Sequence, residues 1–303
     1  MFLANGWKDY EILYAGGQDK YERWGDVYLR RPDPQAIWPV FCDGKEVSWN
    51  EIEAPNAAYN RSSTGGGSWQ KLKSMPSKWN IGYDSLGKHL EFIIEPTSFK
   101  HTGLFPEQAS NWDFAGKLIS DAVAGGRDDI KILNLFAYTG AATCAAACHG
   151  AAEVVHVDSS KGMIQRAKEN VVASGLEDAY IRFINEDCRK FVEREIRRGR
   201  KYDGIIMDPP KYGRGPTGEL WEIEKSLYEF VERTSLLLSD NPLFVIISSY
   251  ATELGSSAVG NVLNLTCGSK HGGKAVCDEL GLPVSRMGIN LPCGQAARWT
   301  PHA

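Results

Sequence analysis

The sequence predicts an α/β protein in two parts. A small, mainly β domain covers residues 1–100, and a Rossmann-like, doubly wound, mostly parallel sheet covers 101–303. Three observations carry this reading. After Gly126, apolar runs of strand length alternate with helical segments, the pattern of successive βαβ units. One of these runs, Ile132-Leu-Asn-Leu-Phe-Ala-Tyr-Thr-Gly140, closes on a turn glycine. It leads into the alanine-rich Ala141-Ala-Thr-Cys-Ala-Ala-Ala-Cys148, so strand, tight turn and helix follow in sequence. Before residue 100 the texture differs, with short β-type runs broken by glycine and proline.

Taken in order, Tyr10–Tyr14 and Val27–Arg30 read as strands, the second stopped by Arg31-Pro-Asp-Pro34. Trp79–Tyr83 and Leu90–Glu95 alternate apolar and polar residues around Asp84-Ser-Leu-Gly87, a hairpin pattern. Between Glu53 and Asp84 there is no acidic residue; Arg61, Lys71, Lys73 and Lys78 interleave there with Tyr59, Trp69 and Trp79, around a glycine-rich tip from Ser62 to Ser68. Cations beside aromatics hold phosphates and stack bases. Alternatively, the aromatics anchor the domain core and the cations face water.

A helix is expected from Pro106 through Ile119, closed by Gly125-Gly126. Beyond the organising strand, Glu153–Asp158 is a strand and Lys161–Gly175 a helix with Met163, Ala167 and Val171 on one face. Tyr180–Ile184 is a strand, Arg189–Arg200 a charged, solvated helix, Tyr202–Met207 a buried strand, Leu220–Leu238 a long helix and Leu243–Ser248 a further strand. Ala275–Leu280, Ser285–Ile289 and Ala297–Trp299 are candidate terminal strands, with Gly268–Gly273 as a loop.

Composition narrows the function. At 303 residues and 43% hydrophobic, the chain is long enough for a full core. No run approaches the ~18 apolar residues of a membrane span, and the start lacks the features of a signal peptide. Seven cysteines without metal-ligand spacing suit buried thiols in a reducing cytoplasm and no metal. A net charge of −4 weakens any claim of strong non-specific nucleic-acid affinity, though a local basic face is compatible with it. Oligomeric state is not legible.

Ligands of open α/β sheets sit beyond the carboxyl ends of the strands. Asp158 ends the second strand, near the spacing of ~20 residues expected for a ribose-binding acid. Dinucleotide enzymes need G-x-G-x-x-G to cradle a pyrophosphate. Here a single glycine follows Phe136-Ala137-Tyr138-Thr139, which disfavours a nicotinamide oxidoreductase. S-adenosylmethionine, with a ribose and no pyrophosphate, fits better; an ordinary crossover without ligand is the alternative.

Asp187 and Asp208 end two further strands. Asp158 would accept both ribose hydroxyls, and Asp187 or the backbone of Cys188 would reach the adenine amine. Asp187 also suits a plain helix N-cap. In Asp208-Pro209-Pro210-Lys211-Tyr212 two prolines remove backbone donors and stiffen a carbonyl edge beside a carboxylate. Such an edge accepts hydrogen bonds from the N–H groups of a planar substrate, and Tyr212 offers a stacking face. Gly213-Arg-Gly-Pro216 is a loop with one cation, suited to closing over a substrate.

Phe136–Gly140, Val157-Asp158, Asn185-Glu-Asp187 and Asp208–Tyr212 resemble the motifs of class I S-adenosylmethionine-dependent methyltransferases, and more narrowly those of the bacterial large-subunit ribosomal RNA methyltransferase group. Ala167–Leu176 is similar to that group's helix after the ribose acid, and Thr102–Gln108 to its segment lining the cofactor pocket. The resemblance implies S-adenosylmethionine contacts from Thr102, Gly103, Phe105, Gln108, Phe136, Ala137, Tyr138, Thr139, Gly140, Asp158, Ser159, Asp187, Cys188 and Asp208. It implies a catalytic motif of Asp208, Pro209, Pro210, Lys211 and Tyr212, and RNA as the substrate. Two departures qualify it. An arginine that many relatives carry straight after Gln108 is absent. Cytosine-C5 methylation needs a thiolate, yet Ser248-Ser249-Tyr250 stands where relatives carry a catalytic cysteine. Cys188 belongs to the adenine side and Cys293 to an unassigned loop. Nitrogen methylation is therefore expected. A small planar metabolite or a protein is the alternative acceptor, and a non-catalytic cofactor-binding module the alternative class.

Overall fold

The computed structural model describes residues 1–62, 66–97, 100–214, 220–251 and 253–301; the tip at 62–68 and the loop at 213–216 lie partly outside them. The first hundred residues form β1 (Phe2–Leu3), β2 (Tyr10–Gly16), β3 (Asp19–Trp24), β4 (Val27–Pro32), β5 (Phe41–Cys42), β6 (Lys45–Glu46), β7 (Ala57–Arg61), β8 (Gly67–Lys71) and the hairpin β9 (Trp79–Ser85) and β10 (Lys88–Ile94). A 3₁₀ turn at Pro106–Gln108 leads into α1 (Ala109–Ala124). Then come β11 (Lys131–Leu135), α2 (Ala141–Cys148), β12 (Glu153–Asp158), α3 (Lys161–Ala173), β13 (Ile181–Asn185), α4 (Cys188–Arg197) and β14 (Gly204–Met207). The chain closes with β15 (Tyr212–Arg214), β16 (Leu220–Glu222), α5 (Ile223–Ser235), β17 (Phe244–Ser249), α6 (Ser256–Leu263), α7 (Ser269–His271), β18 (Lys274–Val284) and β19 (Ile289–Thr300).

The catalytic half of the sheet runs β13-β12-β11-β14-β17-β19-β18. The first five strands are mutually parallel, and β19 is antiparallel to both its neighbours. The parallel strands are short and apolar because helices cover both faces: β11, β12, β14 and β17 are buried almost throughout. The order reverses between β11 and β14, so the crevice for a ligand opens at their carboxyl ends. The sheet does not stop at β18. Its last residue pairs with β2 at Val284 and Ile12, and β3, β4, β7 and β8 continue outward. One apolar cluster accordingly joins Tyr10, Trp24 and Phe92 to Trp112, Cys144 and Leu282.

The expected hairpin is present as β9 and β10. Two expectations are corrected. The helix expected at Leu220–Leu238 begins only at Ile223, because Leu220–Glu222 pairs with Tyr212–Arg214 and buries Trp221, whose Nε1 donates to the Pro210 carbonyl at 2.6 Å. In the tail, Ser285–Ile289 is mainly the turn between two long strands, and most of the segment expected as a loop is helical to His271. Gly281, Pro283, Pro292 and Gly294 interrupt the strand pattern in sequence; long-range pairing with a bulge at Leu280/Gly281 overrides them. Of the two readings of the basic stretch, the structure agrees with the second: its aromatics are anchors. Tyr59 is buried edge-on to Trp69 at 5.4 Å, Trp69 Nε1 donates to Thr97 O, and Trp79 Nε1 donates to Trp24 O. Lys73 and Lys78 pair with Glu53 and Glu169. The described part of this stretch offers no row of exposed rings on which bases could stack.

Candidate functional site

The site begins with a strained turn. After β11 the backbone takes positive φ at Phe136 (55°), Tyr138 (50°) and Gly140 (82°). Non-glycine residues in this region cost of order 1–3 kcal/mol each and persist only when their surroundings hold them. Here the hold is visible. Phe136 N–H meets Cys188 Sγ at 3.3 Å, Ala137 N–H donates to Val157 O, and Tyr138 N–H donates to Asp158 Oδ2 at 2.9 Å. The Thr139 hydroxyl donates to Gly103 O at 2.6 Å, and the Thr139 carbonyl accepts from Asn170 Nδ2 at 2.8 Å. Asn170 Oδ1 in turn accepts from Ile93 N–H, tying the β9–β10 hairpin to the turn. Gly140 sits at the N-cap of α2, where a Cβ would lie 2.9 Å from that of Ala167. Gly140→Ala adds left-handed strain of ~1–2 kcal/mol and an overpacking cost of ~1–3 kcal/mol. A fall in melting temperature together with weakened cofactor binding by calorimetry is the expected outcome.

The turn walls a cavity of about 50 Å³ lined also by Leu104, Phe105, Gln108, Asn134, Ile206, Asp208 and Ser248. Phe105, Gln108, the residues 136–140 and Asp208 thus line one cavity. The Phe105 ring lies between those of Tyr138 and Tyr250, at 5.4 and 5.7 Å. Gln108 Oε1 accepts from Asn111 Nδ2 and Ser248 Oγ, and its Nε2 donates to the Tyr250 hydroxyl. Gly103 takes a φ of 93°, and Thr102 is fully buried with a hydroxyl that has no partner among the described residues.

The other two acids stand at neighbouring strand ends. Asp158 accepts from Tyr138 N–H and Ser160 N–H; burial raises its pKa, and those two donors pull the other way. Ser159 beside it is exposed. Asp187 caps α4, its Oδ1 accepting from Arg189 and Lys190 N–H, so the capping role is realised. Cys188 is buried under the turn, and burial raises its thiol pKa.

Asp208 lies at the end of β14 and closes the cavity. Burial, with the Glu107 carboxylate adding to it, pushes its pKa up to about 7. Pro209 is buried and Pro210 exposed, but the Pro210 carbonyl is taken by Trp221, so among the described residues the edge left without a hydrogen-bond donor is Asp208 with Pro209. Lys211 pairs with Glu253, and Tyr212 is 54% exposed on β15.

Sequence reasoning missed Glu107 as a site residue, although it lies inside the quoted Thr102–Gln108 segment. It is 5% exposed, its pKa is raised first by burial, and Lys20, Tyr250 and Arg31 oppose the rise. Cys293, unassigned from sequence, belongs to β19. Its thiol is pushed far above the usual range by burial and then by Glu107, so it stays protonated and a weak nucleophile at neutral pH.

A doubly wound sheet, a turn against an acid at the next strand end and a carboxylate closing the crevice define an enzyme of the nucleoside-cofactor class. The family model for S-adenosylmethionine-dependent methyltransferases matches residues 73–245. The chain belongs to that family. The S-adenosylmethionine-dependent methyltransferase from Agrobacterium tumefaciens superimposes with a TM-score of 0.89 at 32% identity, over 99% of this chain and 92% of that one. The ribosomal RNA large subunit methyltransferase K/L of Shewanella frigidimarina is 34% identical over 152 residues, and the large subunit methyltransferase I of Tolumonas auensis 34% over 111. These stretches are 50% and 37% of this chain, but only 20% and 26% of those two curated relatives. Among the described residues no helix is long and apolar enough to cross a membrane, and no cluster of metal ligands is present.

The residues fit S-adenosylmethionine. The Asp158 carboxylate, at the end of β12 beside the turn, would supply acceptors for ribose hydroxyls, and Phe105, Phe136, Tyr138 and Ile206 an apolar wall in the cavity that Asp208 also lines. When bound, this cofactor supplies an electrophilic methyl group on a cationic sulfur.

Proposed function

We propose that the protein methylates a base nitrogen of large-subunit ribosomal RNA, with residues 1–100 as the smaller domain and 101–303 as the catalytic one. The observation that carries the chemistry is Asp208, a carboxylate poised near neutrality in the lining of the cofactor cavity, with the Pro209 carbonyl next to it in the chain. This pair accepts hydrogen bonds from an amino group and aligns its lone pair; positioning of this kind supplies much of the rate in a displacement. Asp208, Pro209 and Tyr212 are the catalytic group in this reading, while Lys211 and Pro210 maintain the loop. Ser248-Ser249-Tyr250 at the end of β17, without a cysteine, favours nitrogen over carbon methylation. A target base would be flipped out or already single-stranded. RNA as acceptor rests on the names of the relatives, and it implies a cytoplasmic place of action.

A second reading, a small planar acceptor, is favoured by the inward packing of Tyr59, Trp69 and Trp79. Labelled methyl transfer from S-adenosylmethionine to total RNA, protein and metabolites separates the two. Label in RNA that is lost in Asp208→Ala supports the first reading, and label in metabolites alone replaces it with the second.

A further inference from the structure

Across Tyr250 from the cofactor cavity lies a second, larger one. It has a volume of about 600 Å³ and is bounded by the β18–β19 hairpin, the segment after β17 and Gln35 from the N-terminal strands. We propose that this cavity receives the methyl acceptor and selects a flat, uncharged heterocycle bearing an amino group, such as an exposed cytosine, adenine or guanine; this rests on the methyltransferase reading above.

Its position supports this. Ser248 lines the cofactor cavity, while the next residues, Ser249 and Tyr250, line this one. Phe105 from the first lining and Tyr250 from the second pack together, with rings 5.7 Å apart. Size agrees: pockets for ligands of this kind span ~300–1,000 Å³. Charge then selects. Among the described lining residues the charged side chains are Glu279 and Asp278, the latter paired with the Met1 ammonium, and no lysine, arginine or histidine joins them. Beyond Tyr250 lie the carboxyls Glu107 and Asp208, close enough that their charges add to burial in raising the tyrosine's pKa. A phosphate or carboxylate in this cavity would meet like charge, whereas an amino group would find acceptors. The wall is held in shape from within: Gln295 Nε2 donates to the carbonyls of Ala251 and Leu254.

Gly255 provides the test. It lines the cavity, its backbone (φ −75°, ψ 152°) suits any residue, and a Cβ there meets no atom within 4 Å. Binding of cytidine, adenosine, guanosine and uridine to the protein saturated with S-adenosylhomocysteine is followed by saturation-transfer NMR. Amino-bearing nucleosides are expected to bind at millimolar concentration and at least tenfold better than uridine. Gly255→Phe should abolish that binding and Glu279→Lys weaken it, while both variants retain S-adenosylhomocysteine affinity. Equal binding of uridine, binding unchanged in Gly255→Phe, or no nucleoside binding at all overturns the proposal. Nucleoside binding that behaves as expected, in a protein that transfers no methyl to RNA, sinks the RNA reading and leaves the cavity assigned.

Discussion

Asp208→Asn is expected to lower kcat by about 10²–10³-fold while S-adenosylmethionine binding changes by no more than a few-fold, since it removes a charge needed at the reacting amine. The pH profile provides a sharper check. Burial, and then Glu107, raise the Asp208 pKa to about 7. The ionised carboxylate is the competent acceptor, so activity should climb as pH rises through about 7 and level off above it. In Glu107→Gln the neighbouring negative charge is gone, the ionised form of Asp208 is less disfavoured, and the acid limb should move to lower pH. An acid limb that stays put would mean that Glu107 does not act on Asp208. Linkage makes a further demand. The folded-state pKa lies above the unfolded value, so the native state binds this proton more tightly and its stability falls as pH rises from about 4 to 7. Asp208→Asn escapes that loss. Measured at pH 8 by thermal unfolding, it should be at least as stable as the parent protein, although far less active.

Asp158→Ala should weaken S-adenosylmethionine binding by roughly 10–100-fold or more, read by calorimetry, with little change in the chemical step for bound cofactor. The size follows from two losses. Acceptors for the ribose hydroxyls go, each charged hydrogen bond contributing ~1.5–3 kcal/mol. The anchors of the turn go with them, because Asp158 holds both Tyr138 N–H and Ser160 N–H. Asp158→Asn keeps one acceptor oxygen and should fall between the two. An Asp158→Ala protein that binds cofactor like the parent would remove Asp158 from the site.

Much of the architecture was legible because it is written in short-range patterns. The Ile132–Gly140 run, the alanine helix and Asp158 declare a βαβ unit within thirty residues of chain. Asp208-Pro-Pro announces a stiff strand end. Strands β18 and β19 were legible only in fragments, since glycines and prolines interrupt them and pairing partners in β17 and β2 supply what local propensity lacks. The aromatics at Tyr59, Trp69 and Trp79 looked the same in sequence whether they stacked bases or filled a core.

The sequence by itself determined the fold class, the tight turn after β11 and the acids at the strand ends, because periodicity and turn chemistry depend on neighbours a few residues away. Only the tertiary structure decided which groups meet. It set Gln108 against Tyr250, 142 residues apart, and brought Glu107 to Asp208 and Cys293 to Glu107. A carboxyl's readiness to hold a proton, or a thiol's refusal to lose one, follows from burial and from the charges that surround it. Those are properties of the assembled interior, and no local stretch of chain contains them.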